Sequence, residues 1–186
     1  MELKKITEQE FATLPNFDVE YEDSAYAGQM SKDAYDILAS ACDDAASGYF
    51  DEMLHDLYLN QALLAREMKA KGAFARIVKR LYEHGVACGD AGCCCNLANI
   101  YHDTSNQGSA GDYARAVELY ELGSDRGDTQ SMINLGYIYY YGRGCERDYA
   151  RAYECYARAA LTDTNPEAYW KLGDLYASGR GVRKSE

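Results

Sequence analysis

The sequence predicts an all-α protein made of helical hairpins stacked in a row, and three observations support this. The pattern Asp-Tyr-Ala-Arg-Ala-x3-Tyr begins at Asp112 and returns at Asp148, 36 residues later. The pattern Leu-Gly-x2-Tyr-x2-Gly-Arg-Gly begins at Leu135 and returns at Leu172, 37 residues later. The chain of 186 residues holds only two prolines, which leaves long helices intact. A period of this size is the signature of a repeat array.

A weaker copy of the unit lies upstream. Three residues of this copy are identical to the residue 38 positions later in the chain: Tyr82, Asn96 and Tyr101. The array therefore covers about residues 73–186. Residues 1–72 carry 6 Lys and Arg against 15 Asp and Glu. We interpret this acidic segment as a helical N-terminal cap rather than a degenerate repeat, because a terminal unit must present a polar outer face.

Helix boundaries follow from capping residues and from the helical spacing of apolar residues. Thr7-Glu8-Gln9-Glu10 has the capping-box form and predicts a short helix to Leu14. Ser31 is the predicted cap of a helix that Gly48 ends, and Gly72 is expected to close the next one. The predicted helices after residue 30 are 31–46, 50–71, 73–87, 90–102, 112–125, 128–141, 148–161 and 166–177, with a longer polar loop at 102–111.

Gly136 and Gly173 lie in the middle of predicted helices, where glycine costs about 1 kcal/mol relative to alanine. We expect glycine there only if a neighbouring helix comes too close for a side chain. Four tyrosines are then predicted to point into the seams between helices: Tyr120, Tyr139, Tyr156 and Tyr176. The two Gly-Arg-Gly segments supply left-handed backbone conformations at helix ends.

The pattern Leu-Gly-x2-Tyr followed by Ala-x3-Tyr resembles the tetratricopeptide repeat, and the Gly-Arg-Gly loop with the longer unit resembles its relative, the Sel-1-like repeat. In that family's phase the units run over about 90–126 and 127–163, with a half unit at 164–186. The match is specific at 112–182, weaker at 73–111 and absent before 72. The resemblance implies a right-handed α/α superhelix, or solenoid. It also implies a noncatalytic scaffold or adaptor that binds a peptide or helix on its concave face.

In such repeats the first helix of each hairpin lines the concave surface. Transferring these positions to the chain implies the following partner-binding residues: Asn96, Asn99, Asn134, Tyr137, Tyr140, Tyr141, Trp170, Lys171 and Asp174. Asn side chains both donate to and accept from a peptide backbone, and Tyr and Trp offer rigid contact area. The other interpretation of each tyrosine is a buried packing residue, in a chain that has 18 of them.

The seven cysteines occupy irregular positions and are interpreted as reduced packing thiols. Cys93, Cys94 and Cys95 are consecutive, so a helix points them about 100° apart, which argues against a zinc site. A secreted, cysteine-rich branch of the Sel-1-like family joins the helices of each repeat by a disulfide and has a proposed β-lactam-binding activity. Cys145 and Cys155 would be such a pair, but the preceding repeat unit has no cysteines at the corresponding positions. We predict no metal and no cofactor.

Composition excludes several other functions. The net charge of −11 argues against nonspecific binding to nucleic acid or an anionic membrane, and the acidic segment favours a basic partner.

No apolar run could span a bilayer and the N-terminus lacks the apolar stretch of a signal peptide, so the predicted compartment is the cytoplasm. His55, His84 and His102 are scattered and no nucleophile or phosphate-loop motif is present. We therefore predict no enzymatic activity.

A second functional class is a self-assembling structural subunit. The chain stops where the family would begin another helix, so one side of the helix at 166–177 is expected to lack its usual cover. The alternatives at this end are a homodimer, tested at Leu175 and Tyr176, and a longer repeat protein of which this chain is a part.

Overall fold

The computed structural model describes residues 30–60, 62–63, 72–105, 110–162 and 165–182. The chain divides into two compact units, residues 1–93 and 94–186, and each is described by itself. The helix predicted at 7–14 lies outside the described residues. The described part contains eight helices: α1 (Lys32–Ser47), α2 (Phe50–Leu59), α3 (Gly72–Cys88), α4 (Ala91–Ser105), α5 (Ala110–Asp125), α6 (Thr129–Tyr141), α7 (Tyr149–Thr162) and α8 (Pro166–Ser178).

Helix α1 of the N-terminal unit begins and ends at the predicted capping residues. The Ser31 hydroxyl oxygen accepts a hydrogen bond from the backbone N–H of Ala34 at 3.3 Å. At the other end Gly48 has φ of +80°, a left-handed conformation that favours glycine. The apolar residues at helical spacing, Ala34, Leu38, Ala41 and Ala45, are buried. Helix α1 contacts both α2 and α3.

Helix α2 is shorter than predicted. It ends at Leu59 instead of residue 71, and Gly72 begins α3 instead of closing α2. The side-chain amide of Asn60 donates to the backbone carbonyl of Asp56 at 2.8 Å. The backbone N–H of Asn60 donates to the same carbonyl at 3.1 Å, so Asn60 closes the last turn with both its backbone and its side chain.

A small-residue contact appears once in each unit. A Cβ atom added to Gly85 would lie 2.2 Å from the Cys93 sulfur, and one added to Gly123 would lie 2.4 Å from the Ser131 hydroxyl oxygen. Cys93 and Ser131 are fully buried. The interpretation of Cys93 as a packing residue at a small-residue position is therefore confirmed.

In the C-terminal unit, α5 packs on α6, α6 on α7 and α7 on α8. The Asp128 carboxylate caps α6 by accepting from the backbone N–H of Ser131 at 2.6 Å, and Asn165 caps α8. Both helices end at a left-handed glycine, Gly142 with φ of +69° and Gly179 with φ of +65°, as predicted. The loop predicted at 102–111 is shorter, because α4 continues to Ser105 and α5 begins at Ala110.

The seam between α6 and α7 is filled as the motif predicts. A Cβ atom added to Gly136 would lie 2.5 Å from the nearest atom of the Tyr156 ring. Tyr120, Tyr139 and Tyr156 are all buried. The absence of a side chain at Gly136 therefore leaves room for an aromatic ring of the next helix.

The same motif in α8 does not pack as predicted. No atom lies within 4 Å of a Cβ added to Gly173, and Tyr176 is 39% exposed. The Tyr176 hydroxyl is 2.9 Å from the hydroxyl of Tyr153 on α7. Because no helix follows α8 within the described residues, Gly173 has no counterpart of Tyr156 to accommodate.

Candidate partner-binding surface

The nine residues predicted to bind a partner all lie in the C-terminal unit. Two are on α4, four on α6 and three on α8. Side-chain contacts connect the three helices, because Asn134 of α6 reaches Asn99 of α4, and Tyr137 of α6 meets Lys171 of α8. We call the surface formed by these nine residues the α4–α6–α8 surface.

A hydrogen-bonded group of amides lies at the α4 end of this surface. The Asn99 amide oxygen accepts from the Tyr120 hydroxyl at 2.6 Å and from the Asn134 amide nitrogen at 3.2 Å. The Asn134 oxygen in turn accepts from the Gln130 amide at 3.1 Å. These bonds fix the orientation of both asparagines. Asn96 is half-buried on α4 and does not line the cavity described next.

A cavity of about 280 Å³ opens beside these amides. Its lining comes from α4, α5, α6 and the loop after α6: Asn99, His102, Tyr120, Asn134, Tyr137 and Arg143. Three of these residues were not predicted as site residues. The sequence predicts a packing role for Tyr120, a helix-ending loop at Arg143 and no functional partner for His102. The sequence signal for Arg143 is its return as Arg180 in the second Gly-Arg-Gly segment.

Lys171 is the most unusual residue of the surface, because it is charged and only 7% exposed. Its amino group lies 4.0 Å from the centre of the Tyr137 ring and 4.5 Å from that of Trp170. An ammonium placed over aromatic faces is attracted by their negative charge density, which compensates part of the cost of burial. Lys171 therefore links α6 to α8 and supports the Trp170 ring.

Two tyrosine hydroxyls of α6 donate to carboxylates of α8. Tyr137 donates to Glu167 at 3.0 Å, and Tyr140 donates to Asp174 at 2.8 Å. Burial and then the bond to Glu167 raise the pKa of Tyr137 to about 12. Burial and then the bond to Asp174 also raise the pKa of Tyr140. Both hydroxyls therefore keep their protons at neutral pH and remain hydrogen-bond donors.

Arginines of the two Gly-Arg-Gly loops stack on tyrosines of this surface. The Arg143 guanidinium lies 5.5 Å from the centre of the Tyr141 ring. Arg180, its counterpart one repeat later, lies 5.7 Å from the Tyr140 ring and donates to the Tyr140 hydroxyl. The loops therefore do more than end helices, because each places a cation beside an aromatic ring.

Exposure separates residues that can contact a partner from packing residues. Trp170 is 66% exposed and Tyr141 is 46% exposed. Tyr137 and Tyr140 are half-buried, each with one ring contact to Tyr141. The aromatic residues of the surface thus offer exposed area held in place by stacking.

The cysteines carry free thiols, including Cys145 and Cys155, the pair considered for a disulfide. Cys93, Cys94 and Cys95 are buried. Burial is the main cause that raises the pKa of Cys95 and of Cys155 to about 12, so these thiols stay protonated at neutral pH. In the described ranges, no group of three or more His, Cys, Asp or Glu is placed to hold a metal ion. None of the described helices combines the length and the apolar character needed to cross a membrane.

Comparison with protein families assigns the repeats. The Sel1 repeat model matches residues 91–128, 129–161 and 166–186. The C-terminal half of the chain belongs to the Sel1 repeat family. The units predicted from the sequence start at residues 90, 127 and 164, and the matched repeats start at residues 91, 129 and 166. Sel1 repeats form protein-interaction scaffolds.

Two curated relatives come from Arabidopsis thaliana. The ERAD-associated E3 ubiquitin-protein ligase component HRD3A is 37% identical over 70 residues, which cover 38% of this chain and 10% of HRD3A. HRD3B, of the same description, is 32% identical over 126 residues, which cover 68% of this chain and 18% of HRD3B. The chain therefore spans less than a fifth of the length of these relatives.

A solved structure confirms the Sel1-type fold. The crystal structure of c5321, a protective antigen present in uropathogenic Escherichia coli strains displaying an SLR fold, is similar with a TM-score of 0.57 and 24% identity. The similarity covers 92% of this chain and 38% of c5321. The chain has the all-α, helical-repeat fold that the Sel1 repeats predicted.

Proposed function

We propose that the Sel1 repeats of this chain are a noncatalytic scaffold that binds a peptide or helix of a protein partner on the α4–α6–α8 surface. The observation that carries this proposal is the pairing of exposed aromatic rings with fixed polar groups on one surface. Trp170 and Tyr141 offer exposed, rigid area, and Asn99 and Asn134 are fixed by their hydrogen bonds. Rigid aromatic anchors beside oriented amides are well suited to bind an extended chain or a helix.

Similarity supports a role in assembly. HRD3A and HRD3B are described as components of an E3 ubiquitin-protein ligase, so proteins that contain similar segments assemble with other proteins. The proposed compartment is the cytoplasm, supported by the free thiols of the seven cysteines. The acidic composition of residues 1–72 favours a basic segment in a partner that contacts that part of the chain.

The test starts from a library of short random peptides selected on the wild-type chain. Affinities of the enriched peptides are then measured by fluorescence polarisation for Trp170→Ala with Tyr141→Ala. We expect at least about a ten-fold loss, because truncation of exposed aromatic anchors removes binding hot spots. Tyr58→Ala is the matched control, since Tyr58 is 66% exposed like Trp170 but lies on α2. Equal affinities for all variants would refute the proposed surface.

Self-assembly through α8 is a second candidate function, favoured by the open space at Gly173. The occupied equivalent, Gly136, shows that this backbone can accept an aromatic ring from another helix. Leu175, considered above as a test residue, is fully buried, so its replacement would disrupt packing instead of probing the end. Light scattering after size exclusion should instead compare the wild type with Gly173→Glu and Tyr176→Glu. A dimer that becomes a folded monomer supports assembly, and a wild-type monomer at all concentrations rejects it.

A further inference from the structure

We propose that the cavity beside the amide group is a carboxylate-binding subsite, in which Arg143 and the Asn99 amide N–H₂ hold an aspartate or glutamate side chain of the bound peptide. This inference rests on the proposed function and names the chemistry of one contact within it. All the residues that it uses lie in the C-terminal unit.

Arg143 supplies a cation that is not paired with any carboxylate of the described residues. Its guanidinium lies over the Tyr141 ring and forms no ion pair or hydrogen bond with any residue that the structure describes. Arg115 and Arg158, in contrast, pair with Glu118 at 2.9 Å and with Asp125 at 3.4 Å. A guanidinium has five N–H donors in a fixed fork that matches the two oxygens of a carboxylate. Stacking on Tyr141 orients this fork before a ligand arrives.

Asn99 supplies a second donor. Its amide oxygen already accepts two hydrogen bonds, from the Tyr120 hydroxyl at 2.6 Å and from Asn134 at 3.2 Å. Both lone pairs of that oxygen are therefore used. The part of the Asn99 amide left for a ligand is the N–H₂ group, which has no partner among the described residues. A ligand in the cavity thus meets a donor rather than an acceptor.

The described lining of the cavity is compatible with an anion. None of the described side chains that line it is acidic. Glu167, whose carboxylate accepts the hydroxyl of Tyr137, does not line the cavity. The single permanent cation of the lining suits the single charge of a carboxylate, whereas phosphate groups are usually recognised by clusters of arginines.

The experiment uses the same enriched peptides and the full chain. Their sequences should show a preferred Asp or Glu, and replacing it by Asn or Gln should lower the wild-type affinity by about ten-fold or more. A C-terminally amidated peptide separates a side-chain carboxylate from the terminal one. If amidation alone removes binding, the ligand group is the peptide terminus and the proposed side-chain recognition is wrong.

Two variants of the protein locate the subsite. Arg143→Gln should remove the preference for Asp or Glu, while Arg180→Gln is the matched control from the next Gly-Arg-Gly loop, which does not line the cavity. Asn99→Asp keeps both acceptor contacts and replaces the N–H₂ group by a carboxylate oxygen. It should weaken the acidic peptide more than its Asn or Gln version, because the new carboxylate repels only the charged ligand.

The failures of the two proposals are distinguishable. Peptides that bind through Trp170 and Tyr141 but show no acidic preference, or bind Arg143→Gln and Arg180→Gln equally, overturn the subsite alone. A wild-type chain that enriches no peptide, or one whose peptides bind equally well without Trp170 and Tyr141, overturns the proposed function and the subsite together.

Discussion

Helices α6 and α8 carry the same motif in different surroundings. In α6, Gly136 lies against the Tyr156 ring, and Tyr139 is only 5% exposed. In α8, Gly173 faces open space and its neighbour Tyr176 is exposed. Both helices have the same glycine end, so the motif determines the helix and its termination. Whether the seam is filled depends on the helix that follows.

The largest difference is expected between Tyr139→Ala and Tyr176→Ala. Tyr139 is buried, donates to Glu121 at 3.0 Å and accepts from Arg151 at 3.0 Å, so its removal leaves a cavity and two lost bonds. We expect Tyr139→Ala to lower the free energy of unfolding by about 3 kcal/mol or more. Tyr176→Ala should cost about 0.5 kcal/mol, as for other surface residues. Urea unfolding of both variants measures this, and equal losses would show that the α8 seam is filled.

A smaller effect, with opposite signs, is expected at the two glycines. Gly136→Ala places a methyl group 2.5 Å from the buried Tyr156 ring. Because three atoms of this fully buried ring would lie within 3.0 Å, the strain is at the upper end of about 1–3 kcal/mol and exceeds the gain of about 1 kcal/mol in helix propensity, so the protein is destabilised. Gly173→Ala meets no atom and should stabilise by about 0.5–1 kcal/mol. Thermal unfolding should move the two midpoints in opposite directions, and a shared sign would contradict this account.

How much of the fold could be predicted from the sequence depends on how far apart in the chain the interacting residues lie. The ends of α1 and α6 were predicted correctly, because Ser31, Gly48 and Asp128 act on backbone groups a few residues away. The place of Gly136 in the seam was also predicted, since a glycine inside a helix needs a packing reason. An uncovered side of α8 was expected as well, but the motif wrongly predicted a packed Gly173 and a seam position for Tyr176, because that packing depends on a neighbour outside the motif.

The site was predictable in part for the same reason. The repeat phase placed the nine residues on the first helices of the hairpins, and the structure joins Asn99 to Asn134 and Tyr137 to Lys171. The cavity could not be predicted, because its lining comes from several helices and a loop. Nor could the burial of Lys171, since it requires rings from two different helices. Whether these residues bind a partner remains a prediction.

Tyr120 and Tyr156 occupy the same position of successive repeats. Replacing each by Phe is expected to change the free energy of unfolding by about 1 kcal/mol, with opposite signs. The Tyr120 hydroxyl donates to Asn99, whereas the Tyr156 hydroxyl is buried and has no hydrogen-bond partner among the residues that the structure describes. Tyr120→Phe should lower the free energy of unfolding by about 1 kcal/mol, because it removes that bond. Tyr156→Phe removes a buried group that is already without a bond, and should raise it by about 1 kcal/mol. Urea unfolding of both variants decides, and a loss for Tyr156→Phe would show that its hydroxyl has a partner.

The smallest expected effect is a difference between Tyr137 and Tyr176 in how much each contributes to the loss of stability at alkaline pH. The pKa of Tyr137 is raised from 10.0 to about 12, so the unfolded chain releases this proton at lower pH than the folded chain does. The contribution of this group to stability is therefore complete below pH 10 and is lost as the pH rises toward 12. Tyr137→Phe should make the decline of stability over that range shallower. The pKa of Tyr176 is also raised, chiefly by its bond to Tyr153, but exposure to solvent weakens that effect, so Tyr176→Phe should change the slope less. Unfolding midpoints measured across this pH range test the order, and a steeper dependence on Tyr176 would mean that the open end is more buried in solution than the structure shows.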